Sequence, residues 1–223
     1  QDLHRKLRWR QPSRHEPLEG SDDARMTEDL TALAKDPAGI ATFDDELVQP
    51  TVLGGPPRGL VLHKLIEEIL TGELDEATTP MTERADVLLR QLGHAPASDT
   101  SAGYVPAEIA ATARAALTQV AGLRHRLIPE VTLATREMGD DGVEVITAGT
   151  GDAVAPVQGD PATIDVVVDW KSDFDPSASR REAYREQVRG YVDSAEAQYG
   201  LVVYASCAEI ETVTPSSPLK PTG

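Results

Sequence analysis

The sequence predicts an α/β fold in which a mixed central sheet is flanked by helices and carries a helical cap. Apolar residues between 58 and 123 recur at helical spacing, and from Ile128 the pattern changes to short β-branched runs. A further helical stretch then separates the last two such runs. With 223 residues, 40% of them hydrophobic, the chain can build a sizeable core.

Residues 1–20 read as an irregular basic arm or linker, holding Arg5, Lys6, Arg8, Arg10 and Arg14 beside Trp9, Pro12 and Pro17. Residues 21–127 form the helical part. Ser21-Asp22-Asp23 is an N-cap signal for a helix to about 36, and a loop rich in Pro and Gly follows at 50–57. The first core helix covers 58–71, with Leu62, Leu65, Ile66 and Ile69 on one stripe, Lys64 and Glu68 four apart, and Gly72 as its stop. Two more helices are expected, from Thr82 to Leu92 and from Pro106, whose proline suits a first turn, to about Leu123. Residues 128–213 form the sheet core. Three strands run through PEVTLAT, VEVITAGTGDAVA and TIDVVVDWKSD, divided by the turn sequences Gly139-Asp140-Asp141-Gly142 and Gln158-Gly159-Asp160-Pro161. A helix over 179–198 and the buried strand GLVVYAS complete it, and the proline-rich residues 214–223 read as a disordered tail.

Charge and composition narrow the function. Lys plus Arg is 21 against 37 Asp plus Glu, a formal net charge of −16. A chain of this sign cannot hold polyanions by bulk charge, so any nucleic-acid role needs a local basic patch, bound cations or a partner that delivers the strand. The single Cys207 excludes an internal disulfide framework or a four-cysteine cluster. No apolar run approaches the roughly 18 residues of a membrane helix. The opening residues lack the apolar core of a secretory signal, so a cytoplasmic location is expected. Gln1 in the place of a Met suggests a processed chain or a piece of a longer one.

The densest chemistry lies on the second and third predicted strands. Asp152 follows Gly149-Thr150-Gly151 in a strand, where a charge is costly unless paired or ligating. Asp169 and Lys171 flank Trp170, so alternation aims both at one face. A hairpin across the Gln158–Pro161 turn makes Asp152 and Asp169 converge. Two such carboxylates repel, and a hard divalent cation with oxygen ligands is the usual resolution. A neighbouring lysine then suits activation of a water and stabilisation of charge on a phosphate. Read alone, Asp169 and Lys171 also fit a surface ion pair, and His63 a helix-face histidine paired with Glu67. Asp165, Asp173 and Asp175 read as solvated.

Taken in order, a helix histidine in RGLVLHKLIEEIL, G-T-G-D, D-W-K and R-x-x-Y-R-x-Q-V-x-x-Y resemble the PD-(D/E)xK nucleases. The nearest subgroup is the RecB/AddA-type exonuclease domain at the C-terminus of UvrD-like helicases. That resemblance spans roughly 54–204 and implies a restriction-endonuclease-like core. It implies His63, Asp152, Asp169 and the Trp170 carbonyl as ligands to Mg²⁺, with Mn²⁺ as the alternative, and Lys171 as the catalytic lysine. It further implies Gln187 and Tyr191 lining the site and Glu130 in a supporting role. The activity implied is exonucleolytic cleavage of DNA, preferably single-stranded, supplied in recombination and repair by the helicase of a RecBCD- or AddAB-like complex. The alternative is a catalytically inactive module that binds DNA or a partner. Arg181, Arg185 and Arg189, four apart, are the expected DNA-contacting stripe, unless Glu182 and Glu186 neutralise them. No G-x-x-x-x-G-K-[ST] sequence occurs, so this chain has no ATP-driven motor of its own.

Overall fold

A computed structural model describes residues 7–11, 14–18, 52–138 and 143–217. The helix expected over 21–36, the 139–142 turn and residues 218–223 lie outside the described residues. Helix α1 spans Pro56–Thr71, with prolines at its first two positions and Gly72 closing it at φ 79°. The N–H of Gly72 donates to the carbonyl of Ile69, a left-handed stop that glycine makes without Cβ conflict. Its predicted stripe of Leu62, Leu65, Ile66 and Ile69 is buried.

Helix α2 runs Thr78–Gln91. It begins four residues before the sequence estimate because Pro80 is tolerated in a first turn, where its missing N–H is not needed. Helix α3 covers Pro106–Gln119 and stops short of Leu123; a 3-10 turn at Arg124–Arg126 follows. Lys64 bonds Glu67 at 2.9 Å, three residues on, rather than Glu68. Glu68 instead receives a bidentate pair from Arg84 of α2, at 2.6 and 2.8 Å.

The sheet is mixed. Strands β1 (Leu7–Gln11) and β2 (Arg14–Leu18) form an antiparallel pair where an irregular arm was expected. β3 (Ile128–Met138) and β4 (Glu144–Val157) are antiparallel, and β5 (Asp160–Lys171) returns beside β4 across Gln158 and Gly159, with φ 88° at the glycine. Helix α4 (Ala178–Ala195) crosses over to β6 (Tyr199–Tyr204), parallel to β5, and β7 (Glu209–Val213) closes the edge. The order is β2-β1-β4-β5-β6-β7, with β3 on the other side of β4. β1 joins β4 in parallel register, from Leu7 opposite Glu144 to Arg10 opposite Thr147.

Two apolar clusters use opposite faces of this sheet. Val166, Val168 and Trp170 pack with the α1–α3 cap, and Val167 packs with Val188, Tyr191 and Val192 of α4. β5 is therefore buried on both sides from Val166 to Trp170, which is why Val166, Val167 and Val168 are apolar in succession and Asp169 stands out as a buried charge. At Gly200 any Cβ would lie 2.4 Å from Val188 Cγ1, so α4 sits on β6 closely enough to demand glycine. The start of the expected disordered tail is held: Ser216 donates from its N and Oγ to Asp193, at 2.9 and 2.6 Å.

Candidate active site

The site lies where β4 and β5 part. Their ladder runs through Ala153 opposite Val168, which places Asp152 and Asp169 next in register. Instead of a further backbone rung, the Asp152 Oδ2 carboxylate accepts the Trp170 N–H at 2.7 Å. A residue's N–H and C=O leave a strand on the same edge, so the Trp170 carbonyl is directed to the Asp152 side as well. On its other side Asp152 lies between Pro129–Ala153 and Val131–Gly151 rungs, opposite Glu130. Glu130 has φ 53°, left-handed backbone that a non-glycine residue rarely adopts. Like charges directly opposite one another oppose pairing, and here they flank one aspartate on both neighbouring strands.

Helix α1 supplies His63, whose Nδ1 lies 3.5 Å from Asp152 Oδ1. Helix α4 supplies Gln187 and Tyr191 from one face, joined by a Gln187 Nε2 to Tyr191 OH bond of 3.3 Å. Gln187 Oε1 accepts from Lys171 Nζ at 2.9 Å. The same ammonium lies 2.8 Å from Asp169 Oδ2 and 4.4 Å from the centre of the Tyr184 ring. The Asp169 contact is off the hydrogen-bonding direction: Asp169 Oδ2 is buried with no hydrogen-bond partner. His63, Asp152, Asp169, Lys171, Gln187 and Tyr191 thus form one neighbourhood built from α1, β4, β5 and α4.

Their charges are strongly coupled. Burial pushes the Asp169 carboxyl up to about 6, with the Asp152 charge adding to the rise and Lys171 opposing it. Burial acts the same way on Asp152, but His63, Lys171 and the Trp170 N–H outweigh it and hold Asp152 below its usual value. Burial disfavours charge on His63 and Lys171, yet the neighbouring aspartates raise both. Desolvation, then Asp152 and Glu67, raise Glu130.

For a divalent cation the donor types fit: two carboxylates, an imidazole and a carbonyl edge, with one buried carboxylate oxygen lacking a hydrogen-bond donor. Among the described residues, no three His, Cys, Asp or Glu side chains are drawn together into a finished cage. Two of the donors are instead turned toward His63 and Lys171 as ion-pair partners.

Several expectations for the surroundings change. Arg181 and Arg185 are not a free basic stripe: Arg181 pairs with Glu209 and Glu211, and Arg185 with Glu182 and Glu211. The β7 glutamates account for most of this, reached across the fold rather than along the helix. Arg189 has no ion-pair partner among the described residues. Asp165 is tied to Arg126 at 3.1 Å, and Asp173 accepts from Tyr184 OH at 2.8 Å, so neither is simply solvated. Sequence reasoning gave no role to Tyr184 or to Arg58. The guanidinium of Arg58 is buried and bonds Glu108, Thr112, Ser206 and the Ser172 carbonyl just beyond Lys171. Tyr184 was findable, three residues before Gln187 on the same helix; the partners of Arg58 carry no local signal.

Among the described residues, no helix is long and apolar enough to cross a membrane. No family model matches the chain, and no curated protein matches it. Among solved structures, it is similar to SSO0001 at 17% identity and a TM-score of 0.36, over 72% of this chain and 78% of that one.

Proposed function

We propose that the chain is a divalent-metal-dependent deoxyribonuclease, cleaving phosphodiesters of single-stranded DNA with Mg²⁺ as its cofactor. The observation that supports this best is the convergence of Asp152, Asp169 and Lys171, with His63, Gln187 and Tyr191 around them, from four separate elements. His63, Asp152, Asp169 and the Trp170 carbonyl would hold the cation. Bound there, it would polarise the phosphodiester and acidify a water. Lys171 keeps its proton under the influence of both aspartates, and its ammonium is suited to orient the attacking water and stabilise charge growing on the phosphate. Gln187 fixes the lysine from the helix side, and Tyr191 in turn is bonded to Gln187.

The net charge of −16, with Arg181 and Arg185 already paired, favours delivery of the strand by a helicase domain or subunit in the cytoplasm over capture from bulk solution. The test is cleavage of end-labelled single- and double-stranded DNA in Mg²⁺ and in EDTA, by the chain and by Lys171→Ala. Cleavage of single strands that needs Mg²⁺ and falls at least about 10³-fold in Lys171→Ala is expected. Binding with no Mg²⁺-dependent cleavage would point instead to the inactive nuclease-fold module, and cleavage unchanged in Lys171→Ala would remove this site from the reaction.

A further inference from the structure

The structure assigns Tyr184 as the positioning residue for Lys171: its ring face is the third partner of the lysine ammonium. The inference deepens the nuclease reading and rests on it for its catalytic consequence. An ammonium has three N–H bonds. For Lys171 the neighbours are Gln187 Oε1 at 2.9 Å, Asp169 Oδ2 at 2.8 Å and the Tyr184 ring, whose centre is 4.4 Å from Nζ. The lysine is only 15% exposed, so water does not compete freely for the third direction. A cation over a tyrosine face within about 6 Å is attracted by the ring quadrupole, more so when desolvated.

The ring is itself fixed. Its hydroxyl donates to Asp173 Oδ2 at 2.8 Å and accepts from Arg180 Nε at 2.7 Å. Tyr184 and Gln187 are three residues apart on α4, so one helix face presents both an amide oxygen and an aromatic face to the lysine. The consequence is directional. Gln187 accepts one N–H, and Asp169 holds the charge as an ion-pair partner off the hydrogen-bonding direction. The ring holds the ammonium weakly enough that this third N–H is the one a phosphate oxygen or water can take. Tyr184 therefore keeps Lys171 in place while leaving it able to act, and it touches no reacting atom itself.

Two measurements test this. The chain has five lysines, so lysine labelled with ¹³C at its side chain gives few ε-methylene signals, and Lys171→Met identifies the one from Lys171. In the metal-free full chain that signal is expected to be displaced upfield by the ring current, to stay displaced in Tyr184→Phe and to return to the ordinary lysine position in Tyr184→Leu. In Mg²⁺-dependent cleavage of single-stranded DNA, Tyr184→Leu is expected to lose about 10-fold or more in kcat at nearly unchanged KM, and Tyr184→Phe to recover most of it. An undisplaced Lys171 signal in the wild-type chain, or a Tyr184→Leu whose loss lies in KM, overturns the assignment. If Tyr184→Leu does not fold, Tyr184→Phe and the wild-type signal still decide the contact. A displaced signal in a chain that cleaves nothing overturns the nuclease reading and leaves the pairing standing.

Discussion

Replacing Asp169 by Asn should stabilise the metal-free protein at neutral pH. The carboxylate is buried to 2% exposure, faces Asp152, and titrates at about 6 rather than 3.8, with burial as the leading cause. An acid whose folded pKa lies above its unfolded value contributes stability that is complete below 3.8 and is lost as pH rises through about 6. The displacement corresponds to about 3 kcal/mol against the ionised form. Asn is a near-isosteric stand-in for the protonated acid, but it gives up the attraction to Lys171, so the expected gain is about 1–3 kcal/mol at pH 7.5. Urea unfolding in EDTA at pH 4, 5.5 and 7.5 measures it, with the advantage of Asp169→Asn closing toward pH 4. Millimolar Mg²⁺ should then stabilise the wild-type chain and not the variant, because binding to the folded state alone shifts unfolding by mass action. An Asp169→Asn protein less stable than wild type by the same amount at every pH would refute the reasoning, since the ionised Asp169–Lys171 pair would then be a net stabilising contact.

Arg58→Met should destabilise the fold by about 2–4 kcal/mol, read by urea unfolding, because it removes the bidentate cation from the partly buried Glu108 carboxylate, leaving it Thr112, and leaves the Ser172 carbonyl only Ser206. Gly200→Ala should lower the thermal midpoint by an amount equivalent to about 1–3 kcal/mol, its methyl group being forced against Val188 and Val192. An unchanged midpoint would mean that α4 can lift from β6 at no cost.

Much of this molecule is legible locally, and what is not shares one cause. The stripe of α1, the proline start of α3, the glycine stop at residue 72 and the buried valines of β5 follow from periodicity and turn chemistry, because each is decided within a few residues. The nearness of Asp152 to Asp169 follows from a short turn between antiparallel strands. The pairing of His63 with Asp152 does not, since 89 positions separate them; only the resemblance to a nuclease family joined them in advance. β7 escaped because a short, charged edge strand carries little apolar alternation, and β1 because five residues of alternation, far in sequence from its partner β4, are too short a signal. For the arginine stripe the helical neighbours Glu182 and Glu186 are visible in the sequence, whereas Glu209 and Glu211, on β7 beyond β6, are not.

The buried guanidinium of Arg58 also sets an order of events for a chain made from its N-terminus. Its partners lie 50, 114 and 148 positions downstream, at Glu108, Ser172 and Ser206. At roughly 5–20 residues per second, about 7–30 s pass on the ribosome between the arginine and its last partner. Through that interval α1 can form, but the charge it must bury has no complete receptor, and loop closures of this span are the slow kind. Assembly of the neighbourhood around Lys171 is therefore tied to synthesis through Ser206, and a nascent chain cut short before β6 carries every proposed catalytic side chain while lacking the last partner of Arg58 and the parallel strand beside β5.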